Sequence, residues 1–332
     1  MKLNQHIFTF ILFFLAFNSY ATFKDQNAIN VFIEQMQKKH DFKKTDLERW
    51  FDTVEIKESI LKAISRPAEG MPWHKYRKIF ITESRIQGGI KFWKENEKAL
   101  KKAAEKYGVP PEIIVAIIGV ETLYGKHTGT YRVIDALSTL GFNYPKRSKF
   151  FLRELESFLL LCRNEKMDPL NPTGSYAGAM GLPQFMPSSF IAYAADFEGD
   201  EKIDIWSNTA DAIASVGNYF AKHHWQKDQP IAFPVTAKGD QYKKLLTSGL
   251  KPDVTIEDIQ KLNITLVDPV PAKTKVKLLE FEQPDTTDLW LGLNNFYVIT
   301  RYNRSPLYAM AVFQLSQAIL GQNTKTRISL EE

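Results

Sequence analysis

A glutamate set into an otherwise apolar stretch is the residue in this sequence best placed to do chemistry. Segment 115–125 reads VAIIGVETLYG, and from Glu112 onward it is apolar nearly all round. That pattern predicts a helix buried inside a domain. Pro110 and Pro111 suit its start, because the N–H that proline lacks has no helical partner there. Residues three, four and seven apart share a helix face, so Glu121 falls on the stripe of Ile114, Ile117 and Ile118. Burial disfavours the charged form of a carboxylate and raises its pKa. An acid that keeps its proton near neutral pH can donate it to a leaving group. Gly125 is expected to end the helix and leave the acid where a cleft could reach it. The competing reading of these residues is a structural glutamate paired with a buried arginine.

Three other stretches carry candidate chemistry. Segment 173–189, TGSYAGAMGLPQFMPSS, has three glycines and two prolines in seventeen residues, which implies tight turns and close backbone approach. Ser175 and Gln184 are its polar groups best suited to hold a ligand. No Lys-Ser/Thr pair follows the glycines, so a nucleotide P-loop is excluded. Segment 71–77, MPWHKYR, reads as an irregular aromatic and basic loop, either a wall for sugar rings or a packing loop. Segment 196–204, DFEGDEKID, places acids at loop positions one, three, five and nine, a spacing that suits calcium. The EF-hand pattern breaks twice, with Glu201 in place of the turn glycine and Ser207 in place of the twelfth-position glutamate. Asp211 lies four residues further on and could substitute. A solvated acidic turn is the alternative.

The elements that must position these residues read mainly as helices. Residues 1–21 combine Lys2, an apolar run at 7–17 and small residues at 19–21, the pattern of a secretory signal, short for a transmembrane helix, with an uncleaved anchor as the alternative. Without it the formal charge falls from +5 to +4, a mild excess with no basic cluster that would argue for nucleic acid. The single cysteine, Cys162, allows no internal disulfide. No cysteine stands at the cleavage site to take a lipid anchor. Segment 24–108 is expected to be helical, with a stripe of Ala28, Val31, Phe32 and Met36 and a capping box from Thr45 to Glu48. Further helices are expected at 150–162, 206–225 and 305–320, with a loose tail from Lys325. From Pro230 the pattern alternates: Ile231, Phe233 and Val235, then Val276, Leu278 and, after one extra residue, Phe281. Segments 287–293 and 296–300 read as strands.

VETLYG around Glu121, GSYAGAMGLPQFMPSS at 174–189, the acidic loop from Asp196, and FYVITRYNRSPLYAMAV at 296–312 together resemble the lytic murein transglycosylase B family. The resemblance runs from about residue 28 to 317, with four motifs in order. It implies an α+β, mainly α fold: a lysozyme-like core with a helical domain and a small antiparallel β domain. The domains expected are 1–21 signal peptide, 22–108 helical, 109–228 catalytic core, 229–300 β, and 301–332 a helix returning to the core, with a tail. The resemblance also implies cleavage of the β-1,4 bond between N-acetylmuramic acid and N-acetylglucosamine, with a 1,6-anhydro product. By it Glu121 is the single catalytic acid, and Tyr76, Ser175, Gln184, Tyr219, Tyr302 and Asn303 line the glycan groove. Asp196, Glu198, Asp200 and Asp211, with a Lys202 backbone carbonyl, are the implied ligands of a structural calcium ion. Glu198 is longer than the residue expected there. No organic cofactor, nucleic-acid partner or membrane span is implied. A monomer acting on peptidoglycan strands in the periplasm is the expectation. A hydrolytic muramidase and a catalytically silent glycan-binding protein are the alternatives.

Overall fold

The structure, a computed structural model, describes residues 26–65, 70–266 and 269–331; the signal segment expected at 1–21 lies outside them. Among these residues the chain is mainly helical, and helix Pro111–Thr122 sits at its centre. Pro110 is extended and Pro111 opens the helix. Every residue from Ile113 to Val120 is buried, as an all-round apolar sequence requires. Four helices pack around it: Glu83–Glu95, Glu97–Tyr107, Thr209–Lys222 and the long Pro306–Glu331. One apolar core therefore runs from Ile29 in the first helix, Gln26–His40, to Ile319 in the last.

Two small sheets join the helices. β1 (Tyr131–Arg132) pairs with β2 (Thr173–Gly174) and ties the segment after the central helix to the glycine-rich loop. The larger sheet contains β3 (Ala232–Ala237), β4 (Val254–Thr255), β5 (Ile264–Leu266), β6 (Lys275–Glu282) and β7 (Thr287–Gly292). It is antiparallel in the order β4-β6-β7-β3-β5, with Leu279 opposite Trp290 across the β6–β7 hairpin. The extra residue before Phe281 has a cause in this sheet. Val276 and Leu278 face the sheet's own small core, whereas Leu279 and Phe281, on the opposite face, join the large one. The sheet thus meets the helices through Phe281, whose ring lies 5.3 Å from that of Trp73.

Several expectations are corrected. Segment 296–300 is not a strand but part of helix Asn294–Tyr302, in which Phe296, Val298, Ile299 and Thr300 are all buried. A short apolar run cannot by itself tell a buried strand from a buried helix. Segment 71–77 is not an irregular loop, because Pro72 starts helix Trp73–Phe80. Val31 is exposed, and Ile29, Phe32, Ile33 and Met36 form the buried stripe. The 45–48 capping box is absent: helix Lys44–Phe51 has no side-chain cap, and a capping box stands instead at Thr255 and Asp258. Helix Pro306–Glu331 continues through the expected loose tail.

Candidate active site

The central helix ends sooner than its glycine suggests. It stops at Thr122, and Leu123, Tyr124 and Gly125 follow with φ of 51°, 61° and 86°. Two successive non-glycine residues in the left-handed region are strained, and neighbouring contacts must hold them there. Tyr124 supplies one such contact. Its ring fills a slot where Gly88, Gly89 and Gly119 lack side chains, and a Cβ on Gly119 would come within 2.5 Å of its hydroxyl. That hydroxyl donates to the Arg85 carbonyl at 2.7 Å. Thr122 supplies the other contact. Its hydroxyl is shared between the carbonyls of Ile118 and Leu182 at 3.2 and 3.0 Å and accepts from the Gly125 amide at 3.1 Å. The acid's helix end is thereby tied to the glycine-rich loop.

Glu121 projects from this anchored turn into a group of tyrosines and keeps partial exposure. Tyr308, buried near the start of the last helix, donates its hydroxyl to Glu121 Oε1 at 2.5 Å. The Tyr302 ring stacks on Tyr308, with centroids 6.5 Å apart and planes 11° from parallel, and its hydroxyl donates to the Pro183 carbonyl at 2.6 Å. Tyr76, on the helix braced by Trp73 and Phe281, completes the group. Burial pushes the Glu121 carboxyl up to about 7, and the Tyr308 hydrogen bond pulls the other way by favouring the ionised form. Burial, then the Glu121 charge, pushes Tyr76 up to about 12 and both Tyr302 and Tyr308 well above the ordinary tyrosine value. All three tyrosines therefore remain neutral hydrogen-bonding groups around one acid.

No second carboxylate joins them among the described residues. Asp135, the next acid after Glu121 in the sequence, is buried and held by Arg132 Nε and a second guanidinium nitrogen, each at 2.8 Å, and by the Glu55 amide at 3.0 Å. It steadies helix Val133–Asn143 from its first turn.

The other predicted groove residues fall into two sets. Ser175 and Gln184, with Tyr176, face segment 126–131 across a cavity of about 410 Å³. Ser175 Oγ accepts from the amides of Ala177 and Ala179, so its own hydrogen stays free to donate. Gln184 sits at φ 52°, and its Nε2 donates to the carbonyls of Thr128 and Gly181 at 3.1 and 2.9 Å, which fixes its carboxamide. Asn303 is exposed just past helix Asn294–Tyr302. Tyr219 is different: it is buried, its hydroxyl donates to the Arg301 carbonyl at 2.6 Å, and its ring lies 4.7 Å from that of Tyr302. It supports the groove from behind.

Tyr308 is a site residue that sequence reasoning misses. Its signal is the one that exposes Glu121, a polar atom inside a run whose neighbours, Ala309 to Val312 and Leu315, are all buried.

The acidic loop is exposed from Glu198 to Lys202, although Asp211, which closes it, is buried. Asp196 accepts from the amides of Glu198, Gly199 and Glu201 at 3.0, 2.6 and 2.9 Å, and these hold its carboxyl below the usual range, the Gly199 amide most of all. Asp200 accepts from the Lys202 amide. Asp211 accepts from Phe197 and Asp204 at 2.8 and 2.9 Å. Burial raises Asp211, and the charges of Asp196 and Asp200 add to the rise. Glu201, at the sixth loop position, has φ 63°, the turn for which an EF-hand uses glycine. Among the described residues no three acids already stand at metal-ligand geometry.

A helical core around a part-buried acid set among tyrosines, a glycine-rich loop beside it and an acidic turn fit a class of glycan-cleaving enzyme. The sequence profile described as the transglycosylase SLT domain matches residues 24–317, and the chain belongs to that family. The chain is 44% identical over 298 residues to the membrane-bound lytic murein transglycosylase B of Escherichia coli K12, covering 87% of this chain and 81% of that protein. The crystal structure of soluble lytic transglycosylase SltB1 from Pseudomonas aeruginosa superposes with a TM-score of 0.86 at 47% identity, covering 90% of this chain and 99% of that one. Escherichia coli Slt35, solved in complex with calcium, gives 0.83 at 43% identity, covering 89% and 93%.

Proposed function

We propose that this chain is a lytic transglycosylase that cleaves the β-1,4 bond between N-acetylmuramic acid and N-acetylglucosamine in peptidoglycan and leaves a 1,6-anhydromuramic end. The observation that carries this reading is a lone carboxyl held by the Tyr308 hydroxyl among neutral tyrosines, where burial pushes it up to about 7. Such a group is protonated often enough to act as an acid and ionised often enough to act as a base. A glycosidase that admits water ordinarily needs two carboxyl groups. Here the substrate supplies the second function.

In the first step Glu121 gives its proton to the glycosidic oxygen as the C1–O bond breaks. The neighbouring N-acetyl carbonyl stabilises the cationic sugar. In the second step the Glu121 carboxylate takes the proton of the muramic C6 hydroxyl while O6 bonds to C1. The acid is regenerated and no water is consumed. Tyr308 orients the carboxyl through its 2.5 Å hydrogen bond. Tyr76, Tyr302, Asn303, Ser175 and Gln184 line the glycan groove, and Tyr219 backs Tyr302.

The acidic loop supplies hard oxygen donors in an EF-hand-like turn, and the mutual repulsion of Asp196, Asp200 and Asp211 is what a bound dication would relieve. The donor set fits calcium, held by Asp196, Glu198, Asp200, Asp211 and the Lys202 carbonyl. The reading carries with it the division at 22–108, 109–228, 229–300 and 301–332, and a monomer working in the periplasm. No helix among the described residues is long and apolar enough to cross a membrane.

Mass spectrometry of products from purified peptidoglycan tests the reaction. Muropeptides lighter by one water and lacking a reducing end are expected. Fully hydrated products would mean a muramidase, and no products would mean a glycan-binding role.

A further inference from the structure

A second recess lies where helix Asn294–Tyr302 meets the loop before β4. It encloses about 440 Å³ and is lined by Lys251, Asp253, Tyr297, Arg301 and Arg304, among others. Its charges do not cancel. Asp253 is already engaged: its Oδ2 accepts from the ammonium of Lys277 at 2.7 Å and from the Thr247 hydroxyl at 2.7 Å. Lys277 is 2% exposed, so this pair is committed, since removing either partner would strand a buried charge. Lys251, Arg301 and Arg304 are exposed, and among the described residues none has an ion pair or a side-chain hydrogen bond. Three cations therefore converge on one concave site whose only carboxylate is neutralised from beneath.

We infer that this recess binds carboxylates of the peptide that branches from muramic acid, a specificity site separate from the glycan groove. The inference rests on the proposed reaction, because it takes the polymer to be peptidoglycan. Position supports it. Arg301 and Arg304 bracket Tyr302 and Asn303, so the same short segment presents aromatic and amide groups to the groove and guanidinium groups to the recess. The Tyr219 hydroxyl, bonded to the Arg301 carbonyl, fixes that segment's backbone. A glycan lying along the groove carries its acidic peptide as a side branch, and a planar guanidinium can meet a carboxylate with two parallel hydrogen bonds. The small sheet then contributes to recognition. Its strand β6 holds Lys277, Lys277 holds Asp253, and Asp253 is thereby kept from competing with the substrate's carboxylates.

The experiment compares two polymers, stem-bearing peptidoglycan and the same strands stripped of peptide by an amidase. The full chain and an Arg301→Gln/Arg304→Gln variant are assayed on both. The readout is the ratio of kcat/KM on stem-bearing over stripped strands. The wild type is expected to favour stem-bearing strands, and the variant's ratio is expected to fall roughly tenfold, the combined effect of two part-exposed ion pairs. Arg304→Lys should restore part of the ratio. If the double variant fails to fold, Lys251→Gln on its exposed loop should still lower the ratio about threefold. An unchanged ratio in folded variants overturns the inference. Co-sedimentation of the Glu121→Gln protein, with and without the two arginine substitutions, measures the same ratio as binding. If the wild type cleaves neither polymer, the proposed reaction fails, and the binding ratio still decides whether the recess reads the peptide.

Discussion

Two parts of this molecule are built from carboxylates and treat them in opposite ways. At the end of helix Pro111–Thr122 a single carboxyl is surrounded by tyrosine rings, and burial raises it to about 7. In the loop from Asp196 to Asp204, backbone amides meet the acids and Asp196 stays below its ordinary value, whereas Asp211, which closes the loop, is raised by burial despite two amide donors. Asp204 shows the competition within one residue. Burial alone would raise it, but the Ser207 hydroxyl and amide and the Trp206 amide outweigh that and lower it. What separates the regions is the number of N–H groups aimed at the charged form. The first arrangement makes a proton carrier, and the second makes a fixed cluster of negative oxygen.

The contrast can be broken most sharply at Glu121. Glu121→Gln should lower turnover on peptidoglycan by about a thousandfold or more while strands still bind, measured by product release and co-sedimentation. The same substitution should stabilise the protein at pH 8. A carboxyl raised in the folded state contributes most stability below its unfolded pKa and loses that contribution as pH rises through about 7. Relief of up to about 3 kcal/mol at pH 8, vanishing below pH 5, is expected from thermal unfolding at the two pH values. Equal stabilisation at both would mean that the acid is not buried in a costly ionised form.

Tyr308→Phe tests the hydrogen bond alone. Losing a donor to the ionised carboxylate lets its pKa climb further, so the alkaline limb of kcat/KM against pH should move up by as much as about one unit, with turnover reduced around tenfold. A downward shift would reverse the assigned direction of the bond. At the acidic loop, removing calcium with a chelator should lower Tm by several degrees and leave the pH profile in place. No change in Tm would make the loop a solvated turn. The smallest effect is expected at Glu201, whose φ of 63° penalises any side chain: Glu201→Gly should raise stability by about 1 kcal/mol in the calcium-free protein.

How much of this can be read from the sequence follows the same physics. Glu121 stands out because a charge inside an all-round apolar helix is anomalous at short range, and the helix forms as its pattern requires. The acidic loop is legible because its ligand-type residues are close in sequence. Segment 296–300 misleads because its residues are buried on most sides, which erases the period that separates strand from helix. Segment 71–77 misleads because a proline reads as a breaker, whereas Pro72 stands at a helix start. The slot for Tyr124, made by Gly88, Gly89 and Gly119, is invisible because it depends on helices crossing at glycines, a contact that leaves no local pattern. Tyr308 depends on a partner 187 residues away.

That separation also orders events in time. Glu121 and Tyr308 lie 187 residues apart, and the helix that carries the tyrosine follows the other described elements. Until Pro306–Glu331 docks against the central helix, the acid lacks both its hydroxyl partner and one wall of its enclosure. A chain in which that helix is undocked thus lacks the contacts that make Glu121 a proton carrier. For a protein whose reaction opens a structural polymer, docking that helix and arming the site become one event.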